Sequence, residues 1–375
     1  MDPTAPSISF AFIVFLLILT LLSGLLMAAT PFLMPKRECF TVTVPDSAIR
    51  DRTLRSYKIT FALIVSIVAV VFTVAAAVAF TLSEIGIAVA LVTLGILLTC
   101  LGGYALMLHF RRKVRAYKQD QGWDAQAEQA AAFIGYEPVP HAISLKWDLL
   151  FLPLIFACLA VCFLGYGNIP DQIPRQISLN GEVTTFFTKS LATAAFPALI
   201  VTFIDGILAV NHWMILRSKK AVDPAAPNAS AWAYGMFAKA QSILLVVSGV
   251  LLGFVGLIMA LSFVGLITIQ QATITVLVPI FAVALGSIAL SVAYGQNGSR
   301  LLAKMSTSDT MPQDNDRFWK LGIFYVNPND SSLFLPERFG IGWTMNWGRP
   351  GAWGILIALV TIIAAFVIGV FALTG

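Results

Sequence analysis

The sequence predicts an all-α polytopic membrane protein with about eight transmembrane helices and with its N-terminus and C-terminus outside. The 375-residue chain is 58% hydrophobic and 11% charged, and its mean hydropathy is +0.85, far from the values of ordinary soluble domains. Eight apolar stretches reach the length of about 20 residues that crosses the hydrocarbon of a bilayer. All but two of the 24 Lys and Arg residues fall on one predicted side of these stretches.

The eight apolar stretches are the predicted spans. The first has no basic residue before it and is too long for the core of a signal peptide, so we interpret it as a membrane span. The others have the length and low charge of spans. In chain order the predicted spans are 8–34, 59–82, 87–109, 147–167, 190–216, 238–264, 272–294 and 351–373.

The distribution of Lys and Arg predicts which segments face the cytoplasm. Only Arg175 and Lys189 lie in the predicted outer loop 168–189, and every other basic residue lies in four segments that we place inside. The resulting organisation has five parts. These are the first three helices with two basic segments (1–146), a helix pair around the outer loop (147–232), a second helix pair (233–294), a cytoplasmic module rich in aromatic residues (295–350), and the last helix (351–375).

Three cytoplasmic stretches carry signals of local structure. Residues 118–134 are rich in Ala, Gln, Asp and Glu, which predicts a polar helix that continues the third span. Alternating apolar and polar residues early in 35–58 predict a short strand before a basic helix. The turn-forming run Asn327-Pro328-Asn329-Asp330 lies between two β-prone runs and predicts a small cytoplasmic β-hairpin between the last two helices.

Asp205 is a charged residue about fifteen residues into the fifth span, where an unpaired charge costs at least about 3 kcal/mol. His212 follows seven residues later on the same helical face, directly after Asn211. These residues could form a proton relay or an ion site. Alternatively, Asp205 is hydrogen-bonded inside a packed bundle and His212 reaches the inner interface. Candidate partners for Asp205 on the next two spans are Lys239, Gln241, Tyr294 and Gln296.

The sequence lacks three common catalytic motifs. Zinc-protease HExxH, Walker A and GxSxG patterns are absent, and the three histidines are widely separated. Cys158 and Cys162 lie one turn apart in an apolar run, which favours packing over metal binding. The basic residues flank spans instead of forming one stripe, so nucleic-acid binding is not expected. We therefore expect no cofactor and no metal, and we rank an enzyme third among the hypotheses.

Two further patterns concern packing and the membrane surface. Gly249 and Gly253 form a GxxxG pattern with Gly256 one turn further on, which favours close helix packing and permits a homo-oligomer without requiring one. Aromatic residues are dense across 318–347, next to several arginines. They could form a stacking platform for a base, but their position before a span favours an interfacial belt with Arg on lipid phosphate.

The predicted outer loop reads NIPDQIPRQISLNGEVTTFFTK over residues 168–189. Its two prolines stiffen an extended entry, and Asn180-Gly181 predicts a hairpin turn. The loop resembles the signature loop of the bacterial membrane-protein family called domain of unknown function 1648. The matching positions are Pro170, Asp171, Ile173, Pro174, Asn180, Gly181, Glu182 and Lys189.

The loop departs from that family's pattern at three positions. The usual histidine is Gln176, the second acidic residue is Thr184, and the glycine before the lysine is replaced near Phe187. A histidine-dependent role of the loop therefore does not extend to this chain.

Residues 314–348 resemble a second, uncharacterised module that is often fused to the same family. Residues 36–58 also resemble the short basic linker that follows the first span in that group. The module residues that we expect to matter are Asp316, Arg317, Trp319, Lys320, Gly322, Asn327, Arg338, Gly340 and Trp343.

The resemblance implies a function. Relatives of the group include Sdp-type immunity proteins of Gram-positive bacteria, in which a membrane protein protects its host from a secreted toxin and relays the toxin's presence to a cytosolic repressor. For this chain it implies a bacterial plasma membrane, a secreted peptide or toxin outside, and a cytosolic regulatory partner. We therefore expect immunity to, or sensing of, a secreted membrane-active peptide or envelope stress. A proton- or ion-coupled transporter that uses Asp205 is the alternative, and an intramembrane enzyme is third.

Overall fold

The structure, a computed structural model, is 74% helical. It describes residues 8–35, 37–123, 139–177, 183–220, 222–223, 226–305 and 314–374. In this part of the chain, eight helical segments are long and apolar enough to cross a membrane. This arrangement agrees with the predicted all-α multi-pass class.

Each of the eight segments overlaps one predicted span. The third, the sixth and the seventh are clearly longer than predicted. The third and the sixth helices continue past the apolar core into polar residues, and the seventh segment includes the short helix Ser299–Met305 that follows the span. The segments are Ile13–Leu33, Arg52–Thr81, Ile85–Asp120, Leu145–Leu164, Phe196–Arg217, Pro227–Phe263, Ile269–Met305 and Pro350–Ala372.

Eleven α-helices and eight short strands make up the described structure. The helices are α1 (Ile8–Leu33), α2 (Arg52–Thr81), α3 (Ile85–Leu97), α4 (Gly103–Asp120), α5 (Leu152–Leu164), α6 (Leu191–Ala194), α7 (Phe196–Arg217), α8 (Pro227–Phe263), α9 (Ile269–Tyr294), α10 (Ser299–Met305) and α11 (Pro350–Thr374). The strands are β1 (Glu38–Cys39), β2 (Val42–Thr43), β3 (Gln172–Ile177), β4 (Val183–Thr188), β5 (Trp319–Lys320), β6 (Phe324–Tyr325), β7 (Phe334–Pro336) and β8 (Trp343–Met345). They pair as four two-stranded antiparallel sheets, each from consecutive strands.

The connections between the long helices alternate between two ends of the bundle. One end, here called the hairpin end, holds β3 and β4 together with the short connections 82–84 and 264–268. The other, here called the module end, holds the remaining strands. For example, α7 begins beside β4 and ends at the module, where Lys219 N donates to Phe334 O at 2.9 Å. Which end faces the cytoplasm stays a prediction.

The third span is one continuous helix with a π-helical turn at Leu98–Gly102 between α3 and α4. The Thr99 hydroxyl, in this turn, donates to the carbonyls of Gly95 and Ile96, which lie in the last turn of α3. The helix then ends at Asp120, so the prediction of a helix continuing through 118–134 is wrong at this point. Gly122 has a φ of +63°, and Trp123 N donates to Lys118 O at 3.1 Å, which together close the helix. Residues 124–134 lie outside the described residues.

The segment after the first span contains a tight strand pair before the second helix. The turn between β1 and β2 has two residues with positive φ, Phe40 and Thr41, and the Phe40 ring stacks on Phe110 of α4 at 5.1 Å. Asp51 caps α2 by accepting hydrogen bonds from Thr53 N and Leu54 N. The basic helix therefore begins about two turns earlier than the predicted span.

Two small sheets, β5–β6 and β7–β8, occupy the segment where we predicted one hairpin. The run Asn327–Asp330 connects β6 to β7, which are strands of different sheets. The sheets are joined because Trp347 N donates to Tyr325 O at 2.8 Å. Their position at an inner membrane face stays a prediction.

Glycines of α8 form the contact surface for α5 and α7. A Cβ at Gly249 would overlap the Phe151 ring, and a Cβ at Gly253 would overlap Leu154. At Gly256 it would overlap Val201 of α7. The GxxxG pattern therefore packs helices within this chain.

We predict that Gly249→Ala destabilises the bundle by about 1–3 kcal/mol, because the added methyl group must displace the buried Phe151 ring. Thermal unfolding of the full chain in detergent measures this as a lower Tm. Gly286→Ala in α9 is the matched control, since its Cβ would make only an ordinary contact with Leu244. Equal Tm values for the two variants would contradict the packing role.

Candidate functional site

Lys189 fixes the base of the β3–β4 hairpin. Its Nζ donates to Ile169 O at 2.6 Å and lies 4.8 Å from the centre of the Tyr166 ring, and its backbone N donates to Asp171 O at 2.9 Å. Above it, the paired residues Ile173 and Phe187 are both buried against the helices. The hairpin is therefore attached to the bundle through its base.

The other predicted residues of the outer loop fall into three groups. Asp171 is exposed, and Pro170 is exposed at the edge of the cavity described next. Pro174 pairs with Phe186 through the backbone of β3 and β4. Asn180, Gly181 and Glu182 lie outside the described residues.

An apolar cavity of about 530 Å³ lies at the hairpin end, between the base of the hairpin and three spans. Its volume falls within the range of small-ligand pockets. Among its described lining residues, the polar side chains are those of Ser262 and Thr273. The apolar lining includes Phe15 of α1, Pro170 and Ile173 of the hairpin, Met259 of α8, and Ile269 and Ile280 of α9. Such a cavity can accept a hydrocarbon chain or large apolar side chains.

Asp205 is buried in α7, with 4% of its surface exposed. Neither carboxyl oxygen has a hydrogen-bond partner among the described residues. His212 lies two turns nearer the module end, about 10 Å along the helix axis, and is fully buried. It therefore does not reach an interface, as one interpretation of the sequence required.

His212 bonds to Asp148, a residue that the sequence analysis did not select. Nδ1 of His212 lies 2.8 Å from Asp148 Oδ1, and Nε2 lies 2.9 Å from the carbonyl of Ile143. A carbonyl only accepts, so Nε2 carries a hydrogen. One further proton is then shared by Nδ1 and the Asp148 carboxyl, either as imidazolium with carboxylate or as neutral imidazole with carboxylic acid. The pair therefore holds one transferable proton.

The predicted partners of Asp205 are not hydrogen-bonded to it. Gln296 instead belongs to the module, where its Nε2 donates to Glu337 O at 2.8 Å and Gly342 O at 2.9 Å. Asn211 is exposed and donates to Ile207 O on its own helix, so it takes no part in the Asp205 region.

At the module end, Asp316 is the centre of a buried group of charges. Its Oδ1 accepts from Arg338 at 2.5 Å and from the Thr43 hydroxyl at 2.8 Å, and its Oδ2 accepts from Lys118 at 3.0 Å. Burial opposes ionisation, but Arg338 and Lys118, with the Thr43 hydrogen bond, lower the pKa of Asp316 to about 2. The carboxylate is therefore charged at neutral pH and joins β2, α4 and the module.

Arg111 of α4 makes a second connection to the same place. Its guanidinium bonds to the carbonyl and hydroxyl of Thr41 and donates to Trp319 O at 3.0 Å. Gly322, with a φ of +80°, passes directly over these groups, and a Cβ there would overlap the Thr41 hydroxyl. The predicted residue Gly322 thus allows a close approach of backbone to the buried arginine.

Glu38 is the one carboxylate of this group that is only partly bonded. Its Oε1 lies 3.3 Å from Arg338 Nε, while Oε2 is buried without a hydrogen-bond partner in the described part of the chain. Burial raises the pKa of Glu38 to about 7 although Arg338 acts against the rise.

Asn346 organises the second sheet of the module. The residue is fully buried, and its Nδ2 donates to the carbonyls of Asn327, Asp330 and Ser332. Its Oδ1 accepts from Asn327 N at 3.0 Å and Gly348 N at 3.1 Å. The predicted residue Asn327 thus holds the turn, and the side chain that completes it is Asn346.

The remaining module residues have separate positions. Trp343 docks on α8, where it stacks on Phe237 at 5.4 Å and donates from Nε1 to the Tyr234 hydroxyl at 3.3 Å. The Trp319 ring lies under the Arg338 guanidinium at 5.0 Å. Arg317 and Lys320 are exposed, and Gly340 has a φ of +101° in an open turn.

One family model matches part of the module, at residues 328–353, and its description is a family of unknown function, DUF5808. The match covers β7, β8 and Asn346 and ends at the start of α11. No curated protein and no solved structure matches the chain. Because the match covers only this segment, the resemblance of the outer loop to a known family stays a prediction.

Glu337 gives the module a testable pH dependence. It lines a polar cavity of about 670 Å³ beside Arg338, and burial raises its pKa from 4.5 to about 7. Between these two values the folded protein binds more protons than the unfolded chain, so stability falls as pH rises. We predict that the Tm of Glu337→Gln rises relative to the wild type between pH 5 and pH 8, since glutamine does not ionise. Thermal unfolding of the full chain measures it. The exposed Glu84→Gln is the control, and a Glu337→Gln curve parallel to the wild type would contradict the assignment.

Proposed function

We propose that this chain is a multi-pass protein of a bacterial plasma membrane that gives immunity to, or senses, a secreted membrane-active peptide or an envelope component. The hairpin end would face outward and the module end the cytoplasm. The observation that carries the proposal is the apolar cavity under the hairpin, which lies against the loop whose sequence resembles an immunity-related family.

Charge supports the orientation. Of the described Lys and Arg residues, only Arg175 and Lys189 belong to the hairpin end. The excess of positive charge at the module end is the pattern of cytoplasmic segments.

The cavity suits a ligand that reaches the protein from the membrane surface. A membrane-active peptide presents large apolar side chains, and burial of one such side chain contributes about 1.5–3 kcal/mol. Met259, Ile269 and Ile280 supply that surface, and Pro170 and Ile173 place the hairpin beside it.

Two helices extend from the cavity to the module. Helix α1 contributes Phe15 to the cavity and leads into β1, where Glu38 pairs with Arg338. Helix α9 contributes Ile269 and Ile280 and leads to Gln296, which bonds Glu337 and Gly342. A shift of either helix on ligand binding would therefore act on the module, where a cytosolic regulatory partner would respond.

We expect that host cells lacking this protein become sensitive to at least one member of a panel of secreted membrane-active peptides, and that the wild-type gene restores growth. Thr273→Phe should remove the protection, because its ring fills the cavity. Thr275→Phe is the matched control, since Thr275 is exposed two residues away and does not line the cavity. The variant Asn180→Ala tests whether the loop itself is needed, and we expect it to reduce the protection as well. Equal growth of deletion and wild-type strains across the panel would reject the immunity hypothesis.

A second candidate is a proton- or ion-coupled transporter. It is favoured by the buried Asp205, whose oxygens have no hydrogen-bond partner among the described residues, and by the transferable proton of the His212–Asp148 pair. Acidic and histidine side chains buried in spans commonly mark proton or ion pathways.

For the transporter, we expect Asp205→Asn to abolish proton-driven solute flux in proteoliposomes, because asparagine cannot release a proton. Asn211→Ala is the control, since Asn211 bonds only to its own helix among the described residues. A flux in Asp205→Asn equal to that of the wild type would exclude this candidate, whatever the result with peptides.

A further inference from the structure

A third cavity, of about 530 Å³, lies at the module end, away from the apolar cavity and beside Glu38 of the charged group around Asp316. It is formed by the end of α1, the β1–β2 segment, the first turns of α2, and α10. Four of the lining residues that the structure describes are basic, namely Arg50, Arg55, Lys58 and Arg300. The acidic lining residue is Glu38, whose Oε1 is already paired with Arg338.

The four cations are not neutralised within the described structure. None of them forms an ion pair with a described carboxylate. Arg50, Arg55 and Arg300 are exposed, and Lys58 is half-buried. The guanidinium of Arg300 donates to the Val292 carbonyl, which holds its charge at the edge of the cavity. The cavity therefore presents positive charge to an incoming anion.

Apart from Ser299, the rest of the described lining is apolar and lies at the ends of the spans. Phe32 and Met34 come from the end of α1, Leu54 from the start of α2, and Ala303 from α10. Phe32 is 45% exposed toward the outside of the bundle. An anion with an attached hydrocarbon chain fits this combination, because the charge meets the basic rim while the chain follows the apolar wall.

We propose that this cavity is a binding site for the phosphate headgroup of an anionic phospholipid, with the start of an acyl chain against Phe32 and Leu54. Basic pockets between spans at the level of the headgroups are suited to such lipids. The inference is independent of the proposed function and requires only that the helices span a membrane.

The test is native mass spectrometry of the full chain, titrated with dioleoyl phosphatidylglycerol and separately with dioleoyl phosphatidylcholine. The lining variant is Arg55→Gln/Lys58→Gln/Arg300→Gln. The control variant Arg52→Gln/Arg112→Gln/Lys304→Gln removes the same charge from exposed residues at the same end that do not line the cavity. We expect phosphatidylglycerol to bind the lining variant on the order of hundredfold more weakly than the wild type, with little change in the control and weak binding of phosphatidylcholine throughout.

A second variant, Ala303→Trp, keeps every charge and fills the cavity, so it should also weaken phosphatidylglycerol binding if the lining variant proves unstable. If the lining and control variants lost the same amount of affinity for phosphatidylglycerol, the proposal would be overturned in favour of diffuse attraction of the lipid to the basic surface. Inorganic phosphate or glycerol 3-phosphate that displaces the lipid at comparable concentration would identify a free-phosphate site instead. Strong binding of phosphatidylcholine would also overturn it.

Discussion

The ion pair between Asp316 and Arg338 is the interaction on which the module end depends. Thr43 donates to Asp316 across 273 residues, and Arg338 donates to the Thr41 carbonyl across 297 residues, so the pair connects the two ends of the sequence. Removing one member of a buried ion pair typically costs 3–5 kcal/mol, because the partner is left charged and unsolvated. Two sheets of two or three residues per strand would not be stable alone. These charges attach the two sheets to α4 and β2, and this attachment stabilises them.

The same charges explain which part of the structure was predictable. The eight spans follow from local composition, since about 20 apolar residues in a row have few alternatives to a membrane helix. Arg111 and Lys118 were counted only as markers of the cytoplasmic side, because a sequence gives no information about which basic residue turns inward. Their acceptors, Thr41 and Asp316, lie about 70 and 200 residues away in the chain. A contact at that separation leaves no periodic signal.

In the middle of the bundle, too, only part of the structure could be predicted from the sequence. The depth of Asp205 could be estimated from its position in the span, and its burial could be expected from the cost of exposing a charge to lipid. The neighbour of His212 could not, because Asp148 belongs to a different helix and the relative rotation of two helices is set by packing. Within the module, the residues with recognisable turn chemistry, Asn327 and Gly322, were found. Asn346 was missed because asparagine between a strand and a turn is common, and its role depends on being fully buried.

The π-helical turn of the third span has a geometric consequence. The buried positions from Ala88 to Lys118 recur once per turn over eight turns, with the neighbours Phe110 and Arg111 in the same turn. They span 30 residues, about one residue more than eight turns of an ideal α-helix would take. The extra residue in Leu98–Gly102 absorbs this difference, so the inward face does not drift around the helix. Without it, the basic half would be rotated by about 100° relative to the apolar half. The number of residues between Gly95 and Arg111 therefore cannot change by even one. A one-residue deletion there would turn the Arg111 guanidinium away from Thr41 without altering any side chain of the module.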